Sequence, residues 1–205
     1  MTEILTSAQM RAVELAAIES GSVTGLALME SAGAAVVEAI FATWPDLAKA
    51  RALVLCGPGN NGGDGYVIAR LLHARGLAAQ AVSFGDPARL PPDAAANHAR
   101  AVAQGLVIPA LPERLDHDLI IDALFGTGLT RPLTGFDGLI AKVNAAPARL
   151  VSVDVPSGCN ADNPPEARDW PTLRSDLVVT FHTEKPVHAA LRQRGIKTIV
   201  AGIGL

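Results

Sequence analysis

The sequence predicts an α/β fold in which a mainly parallel sheet lies between two layers of helices, preceded by two N-terminal helices. Three observations predict it: short apolar runs recur along the chain, helical patterns separate several of them, and glycine-rich or polar turns follow them. Runs that are apolar at every position are typical of strands buried on both faces, as in parallel sheets. We therefore expect a Rossmann-like, three-layer α/β/α architecture.

Composition limits the classes of function. The chain has 205 residues, 49% of them hydrophobic, and a formal net charge of −3, so we expect residues 1–205 to form a single domain. Without a basic run, neither nucleic acid nor an anionic membrane surface is an expected partner. No continuous apolar stretch reaches the length of a membrane span, so we expect a cytoplasmic protein. Cys56 and Cys159 are too few for a disulfide framework, and we expect reduced thiols.

Two helices are expected before the sheet. Thr6 and Gln9 make a capping box, and apolar residues follow at helical spacing, which predicts a first helix over Ser7–Ser20. A second apolar pattern predicts a helix over Ala27–Thr43, with small residues that would allow close backbone approach.

Strands and helices then alternate along the chain, which favours parallel pairing. Between Asn160 and Trp170 the sequence is typical of a surface loop. Strands are expected at Ala52–Cys56, Ala79–Phe84, Leu106–Ile108, Leu119–Ala123, Arg149–Val155, Leu177–Phe181 and Lys197–Ala201, with helices at Asn61–Arg75, Asp93–Gln104 and Gly138–Asn144.

A glycine-rich loop, CGPGNNGGDGYVIARLL, follows the first strand. Glycines between a strand and a helix allow positive φ and let backbone N–H groups approach a ligand at the positive end of the helix, so the loop is a candidate anion cradle. The absence of a following Lys-Ser or Lys-Thr excludes a Walker loop. The ordinary NAD fingerprint fits poorly, because Val82-Ser83-Phe84 stands where its acidic residue would be. A purely steric turn is the alternative interpretation.

Acidic residues follow the strands at the same sheet edge. Asp64 lies inside the glycine loop, where its charge would repel a pyrophosphate unless a cation lay beside it. Asp122 and Asp154 end two further strands, each before a short polar loop. Since ligands of open parallel sheets bind beyond the carboxyl ends of the strands, we expect the three loops to form one crevice. Taken singly, each aspartate could instead cap a helix or order a turn.

Three side chains of these loops offer oxygen ligands to a cation. Asn61 has an amide oxygen, Asp122 a carboxylate and Ser157 a hydroxyl, without the thiolates or imidazoles that transition metals prefer. One carboxylate balances one positive charge. We therefore expect a monovalent cation, completed by backbone carbonyls.

The motifs GPGNNGGDGYVIARLL, DALFGTGLTRPL and SVDVPSGCNAD, with LTSAQMRAVE and LMESAG upstream, resemble the NAD(P)H-hydrate epimerase family, also called the YjeF N-terminal domain. The resemblance runs from Leu5 to Ile203. It implies an isomerase that interconverts the R and S epimers of NADHX and NADPHX, in which water has added across the nicotinamide C5–C6 bond. It also implies a Rossmann-like fold, an often dimeric protein and a potassium (K+) site.

The resemblance extends to single residues. It implies K+ ligands at Asn61, Asp122 and Ser157, and it implies that Asp154 binds the substrate. We interpret Asp154 as the general acid/base, with Asp64, a water relay or Lys185 as alternatives. The other substrate-binding residues that it implies are Asn60, Asn61, Gly62, Gly63, Asp64, Gly126, Thr127, Gly128, Leu129, Thr130, Arg131 and Pro132.

The sequence departs from the family pattern at Ser31, at Asn160 and at Pro186-Val187. Many relatives fuse this domain to a dehydratase, so we expect this chain to be either a standalone epimerase that is functionally paired with a dehydratase or one half of such a fusion. Two other functions stay open: a nucleotide-binding interaction module without turnover, and an ordinary NAD-dependent oxidoreductase.

Overall fold

The computed structural model describes residues 4–162 and 170–205. Most of the loop expected between Asn160 and Trp170 falls on residues 163–169, outside the described residues. On either side of that gap, Asn160–Asp162 and Trp170 belong to no helix or strand.

Seven parallel strands form one sheet in the order β3-β2-β1-β4-β5-β6-β7, which confirms the predicted fold class. Strand β5 ends two residues earlier than expected, because Asp154 leaves the extended conformation with a φ of 67°. The strands are β1 Arg51–Cys56, β2 Ala78–Ser83, β3 Val107–Ile108, β4 Leu119–Ala123, β5 Arg149–Val153, β6 Leu177–Phe181 and β7 Lys197–Ala201.

Six α-helices flank the sheet in the described part of the chain. The expected capping box of Thr6 and Gln9 starts the first of them. Sequence analysis missed the last helix, although Pro186 at its first position and apolar Val187 and Leu191 four residues apart were available signals. The helices are α1 Ser7–Glu19, α2 Gly25–Thr43, α3 Asn60–Ala74, α4 Pro92–Ala103, α5 Asp137–Asn144 and α6 Pro186–Gln193, with 3₁₀ turns at Pro45–Lys49 and Pro87–Arg89.

Successive residues along each strand point to opposite faces of the sheet, and a hydrophobic core lies on each face. On one face, Val54 and Ile121 pack in a cluster with residues of α2 and α3, and Ala101 of α4 joins it. On the other face, Leu53 and Ile120 pack with α5, while α6 covers the outer strands through a separate cluster. The three predicted layers are thus present.

Helix α2 is apolar because it is a core helix. By length and composition alone it could cross a bilayer, with a mean hydropathy of 1.5. In the fold, Val36 and Ile40 are fully buried, and Gly33 lies directly against Val67 of α3. Contacts with α3 and with the sheet account for its composition.

The strand order changes direction between β1 and β4. From β1 the chain proceeds outward to β2 and β3, and then returns to β4 on the other side of β1. Cys56 pairs in register with Ala123, so the loops that follow these two strands begin side by side. In open α/β sheets such a reversal point is where ligands bind.

Candidate functional site

A crevice of about 870 Å³ opens at this reversal point. The loops after β1, β4 and β5 all contribute to it, which confirms the expected convergence of the three polar loops. Its lining includes these residues predicted from sequence: Asn60, Asn61, Asp64, Gly126, Thr127, Gly128, Leu129, Thr130, Arg131 and Asp154.

Other predicted site residues lie beside the crevice rather than on its wall. Gly62 and Gly63 are buried within the first turn of α3, and Pro132 is exposed at the end of its loop. Asp122 and Ser157 are fully buried behind the loops.

The glycines of the first loop serve close packing. None of the glycines between Gly57 and Gly65 has a positive φ, so conformational freedom is not the reason for them. A side chain at Gly57 would collide with the backbone of Leu124, and one at Gly62 would collide with the carbonyl of Gly57. These contacts hold the N-terminus of α3 against the ends of β1 and β4, where its free amides can face an anion.

Asp122 connects the β4 and β5 loops. Its Oδ2 accepts hydrogen bonds from the Ser157 amide at 2.7 Å and from the Ser152 hydroxyl at 3.1 Å. Its Oδ1 accepts from the Ser157 hydroxyl at 2.6 Å and from the Leu124 amide at 3.3 Å. Burial raises the pKa of this carboxyl, and the four hydrogen bonds oppose that rise. No positive side chain of the described residues is bonded to Asp122, so its ionised form lacks a counter-charge.

The oxygens around Asp122 suit a monovalent cation. The Ser157 hydroxyl also lies 3.2 Å from the Phe125 carbonyl, and turning its proton there would free a lone pair on Asp122. Asn61 lies directly beside Gly126, and its buried Nδ2 has no partner among the described residues. Rotating that amide by half a turn would put its oxygen at the unpartnered position. The described residues hold no cluster of three His, Cys, Asp or Glu side chains, the type of site that transition metals require.

Asp154 forms a buried ion pair with Lys185. Lys185 Nζ lies 3.0 Å from Asp154 Oδ1 and also donates to the Thr180 hydroxyl at 2.9 Å and the Phe181 carbonyl at 3.1 Å. Thr180 donates to the same Asp154 oxygen at 2.8 Å, and no described residue donates to Oδ2. Burial by itself raises the pKa of Asp154, but the charge and hydrogen bond of Lys185 and the Thr180 hydroxyl outweigh it and leave the pKa below its usual range. Asp154 is therefore ionised at neutral pH.

His188 holds the backbone around this ion pair. Its Nδ1 accepts the Lys185 amide proton at 2.8 Å, so its proton is on Nε2, which donates to the Asp154 carbonyl at 2.8 Å. Burial lowers the pKa of His188 and keeps the ring neutral. The ring stabilises Asp154 in its left-handed conformation.

Two other carboxyls of the crevice have pKa values that are raised, whereas the pKa of Asp154 is lowered. Burial, followed by the charges of Asp154 and Glu14, raises the pKa of Asp64 well above its usual range. Burial and the charge of Asp154 also raise the pKa of Glu14, although Lys185 and Arg11 oppose the shift. The crevice thus combines an ionised carboxylate, whose pKa is lowered, with two carboxyls whose pKa values are raised.

Sequence reasoning missed several residues that line the crevice or lie directly behind its wall. Arg11 and Glu14 come from α1 and lie within the LTSAQMRAVE motif of the family resemblance, but no site role was predicted for them. Lys185 was considered only as a weaker acid/base candidate, and nothing in its sequence context indicated burial. The remaining missed wall residues are Pro58, Gly59, Leu124, Phe125 and Phe181.

Sequence comparison relates the chain to known proteins. The family described as "YjeF-related protein N-terminus" matches residues 25–187. An NAD(P)H-hydrate epimerase of Rhodobacter capsulatus is 53% identical over 212 residues, spanning 100% of both chains. A protein of Coxiella burnetii named bifunctional NAD(P)H-hydrate repair enzyme is 37% identical, and the match covers 90% of this chain but 38% of that protein.

Structural comparison supports the fold. The crystal structure of yeast ynu0 matches with a TM-score of 0.78 at 24% sequence identity, covering 98% of this chain and 88% of the yeast chain. At this identity the likeness concerns the architecture alone.

Proposed function

The chain belongs to the NAD(P)H-hydrate epimerase family, and on this premise we propose that its crevice binds hydrated NADH and NADPH and interconverts their R and S epimers. The protein is an isomerase of nicotinamide nucleotide repair. The observation that supports the crevice as its active site is Asp154, an ionised carboxylate held at the crevice wall by a buried lysine. We propose that residues 1–205 act together as one such domain.

Different groups of the crevice wall suit different parts of the substrate. The amides of the first turn of α3, beginning at Asn60 and Asn61, provide an anion site for the pyrophosphate. Arg11 and Arg131 also line the crevice and add positive charge. Together with the loop from Gly126 to Arg131, they would orient the hydrated nicotinamide ring toward Asp154.

Epimerisation at C6 requires the C6–O bond to break and to form again on the other face of the ring. As the hydroxyl leaves, the N1 lone pair forms an N1=C6 double bond and the ring becomes cationic. An ionised Asp154 would stabilise that cation and then accept a proton from the water that adds back, since general base catalysis contributes about 10²–10⁴-fold in rate. The ion pair with Lys185 keeps Asp154 in the state that this role requires.

We propose that the oxygens of Asn61, Asp122 and Ser157 hold a potassium ion, with the Phe125 carbonyl as a further ligand. The fit rests on the clustered oxygens, on the unpartnered amide of Asn61 and on a fully buried carboxylate without a counter-charge. When bound, the ion would supply positive charge close to the substrate phosphates. The protein's own contribution is to fix the β4 and β5 loops through Asp122.

The function is tested by an epimerisation assay. Purified protein is added to one NADPHX epimer, and the appearance of the other is followed by chromatography. Turnover would exclude the binding module without activity. Conversion without a change in absorbance at the reduced-cofactor band would exclude the oxidoreductase, and binding without conversion would contradict the proposed function.

The partners and the compartment are also proposals. We propose that a dehydratase consumes one epimer, since the Coxiella burnetii relative is named a bifunctional repair enzyme. A homodimer is supported by exposed Ile4, Leu15 and Ile18 at the N-terminal segment, and sedimentation would test it. Buried free cysteines, Cys56 and Cys159, fit a reducing compartment, for which we propose the cytoplasm.

A further inference from the structure

We propose that Glu14 of helix α1 is a second catalytic residue, which donates the proton to the departing C6 hydroxyl while Asp154 acts from the β5 loop. This inference rests on the proposed epimerase function. It assigns a role to a residue outside all the glycine and aspartate motifs of the sequence.

The first support is position. Glu14 and Asp154 line the same crevice, although they come from an N-terminal helix and from the end of β5. Helix α1 is anchored at its start, where the amide and hydroxyl of Ser7 donate to Asp162 at 2.7 and 2.9 Å. Just before it, the Leu5 amide donates to the Glu184 carbonyl at 3.0 Å. Because Glu184 directly precedes Lys185, these bonds attach α1 to the segment that carries the Asp154 ion pair.

The second support is the difference between the surroundings of the two carboxyls. Asp154 is bound to Lys185 and Thr180, so it carries no proton to give to a leaving hydroxyl at neutral pH. The Glu14 carboxyl accepts no hydrogen bond from the described residues, and burial raises its pKa. Two carboxyls whose surroundings move their pKa values apart are the usual arrangement of an acid and a base in one site.

Other charged groups face Glu14 and bear on its titration. Asp154 after β5 favours the protonated form of Glu14, and Asp64 of α3 interacts electrostatically with Glu14. Lys185 before α6, Arg11 on α1 and His182 after β6 favour the ionised form. Asp64 is the competing proton donor, and it differs from Glu14 in lying near the N-terminus of α3, where we place the substrate pyrophosphate.

The reaction balances with these two groups and water. The Glu14 proton goes to the C6 hydroxyl, the C6–O bond breaks to release water, and the N1 lone pair forms the N1=C6 bond. A water then adds to the other face of C6, the electron pair returns to N1, and Asp154 takes the proton of that water. Exchange of protons with solvent restores both groups, and the reverse epimerisation follows the same steps backward.

The test compares Glu14→Gln with Glu19→Gln, a matched change at an exposed position of the same helix. Each variant and the wild-type protein is assayed with one NADPHX epimer over a range of pH, and NADPHX binding is measured separately. We expect Glu14→Gln to lower kcat by about 10²–10⁴-fold with little change in NADPHX affinity. Because loss of the Glu14 proton would remove the donor, we also expect the wild-type rate to fall at alkaline pH and Glu14→Gln not to show this fall. Glu14→Asp should retain part of kcat together with the alkaline fall, and Glu19→Gln should match the wild type.

The outcomes separate this inference from the function on which it rests. A wild-type protein that binds NADPHX without converting it contradicts the proposed function. An active wild type together with a Glu14→Gln variant of equal kcat and an unchanged pH profile contradicts the role of Glu14 alone. If Asp64→Asn abolishes the alkaline fall and Glu14→Gln does not, the proton donor is Asp64 and the inference is overturned. A Glu14→Gln variant with lowered thermal stability is replaced by Glu14→Asp, whose pH profile then decides.

Discussion

Lys185 Nζ lies 3.0 Å from Asp154 Oδ1, and only 1% and 12% of the two side chains are exposed. The ammonium uses all three of its protons, on Asp154, Thr180 and Phe181. A buried ion pair tolerates the loss of one partner poorly, because the remaining charge is left unpaired. The pair therefore keeps Asp154 ionised.

Removal of the lysine should move the activity to higher pH. In Lys185→Met, burial of Asp154 is no longer opposed, so its pKa rises and less of the carboxylate is ionised at neutral pH. We expect lower kcat at neutral pH with partial recovery as the pH increases, and a loss of about 3–5 kcal/mol in the free energy of unfolding. Kinetics over a pH range and denaturant unfolding measure the two effects. Lys49→Met, at an exposed position, is the control; an unchanged pH profile in Lys185→Met would contradict the prediction.

Asp154→Asn should abolish turnover and retain substrate binding. Asparagine tolerates the left-handed conformation that Asp154 adopts, so the backbone is preserved while the titrating group is lost. The single variant leaves the Lys185 ammonium without its counter-charge and should be destabilised. Combining it with Lys185→Met should restore stability without restoring kcat. A double variant with wild-type turnover would assign the base role to another group.

Potassium should raise the affinity for the substrate. A cation beside Asp122 would neutralise a fully buried carboxylate and attract the substrate phosphates. Titration of NADPHX should give tighter binding in a potassium buffer than in a choline buffer. Asp122→Ala should weaken the binding of potassium and the binding of NADPHX together. Since Asp122 accepts four hydrogen bonds, the stability of that variant is measured in parallel. Equal affinity and rate in the two buffers would mean that Asp122 serves only to order the loops.

Asp64→Asn should stabilise the protein in a way that depends on pH. Because the pKa of Asp64 is raised in the fold, the folded state holds its proton more tightly than the unfolded state does. Stability therefore falls as pH rises above the ordinary aspartate pKa of about 3.9 and through the raised value of the folded state. The amide of the variant removes this loss, so its melting temperature should exceed that of the wild type near neutral pH and equal it in acid. A difference that is constant over pH would contradict the raised pKa.

Gly62→Ala should disturb the crevice through packing alone. An added methyl group would collide with the carbonyl of Gly57, so the N-terminus of α3 must move away from the loop after β1. We expect lower thermal stability and weaker NADPHX binding. Gly138→Ala in α5 is the control, because its added methyl group would contact nothing within 4 Å. Since alanine favours a helix more than glycine does, this variant should raise the free energy of unfolding by up to about 1 kcal/mol. Normal binding by Gly62→Ala would show that the loop tolerates displacement.

Sequence alone determined the fold class, the seven strands of the described sheet and the convergence of three loops. These depend on local patterns: apolar runs such as Leu119–Ala123 are typical of buried strands, and parallel strands bring the residues after them to one edge. Helix α6 was missed because it is short. Among its eight residues only Val187 and Leu191 are large and apolar, and two such residues do not distinguish a helix from a loop.

Only the tertiary structure decided which residues carry which charge. Arg11 and Glu14 enter the crevice because α1 is anchored to residues more than a hundred positions away, and no local pattern reports such a contact. Lys185 has the sequence context of a surface lysine, yet the fold buries it against Asp154. Protonation depends on the burial and the charges around a group in space, and these exist only once distant segments have packed together.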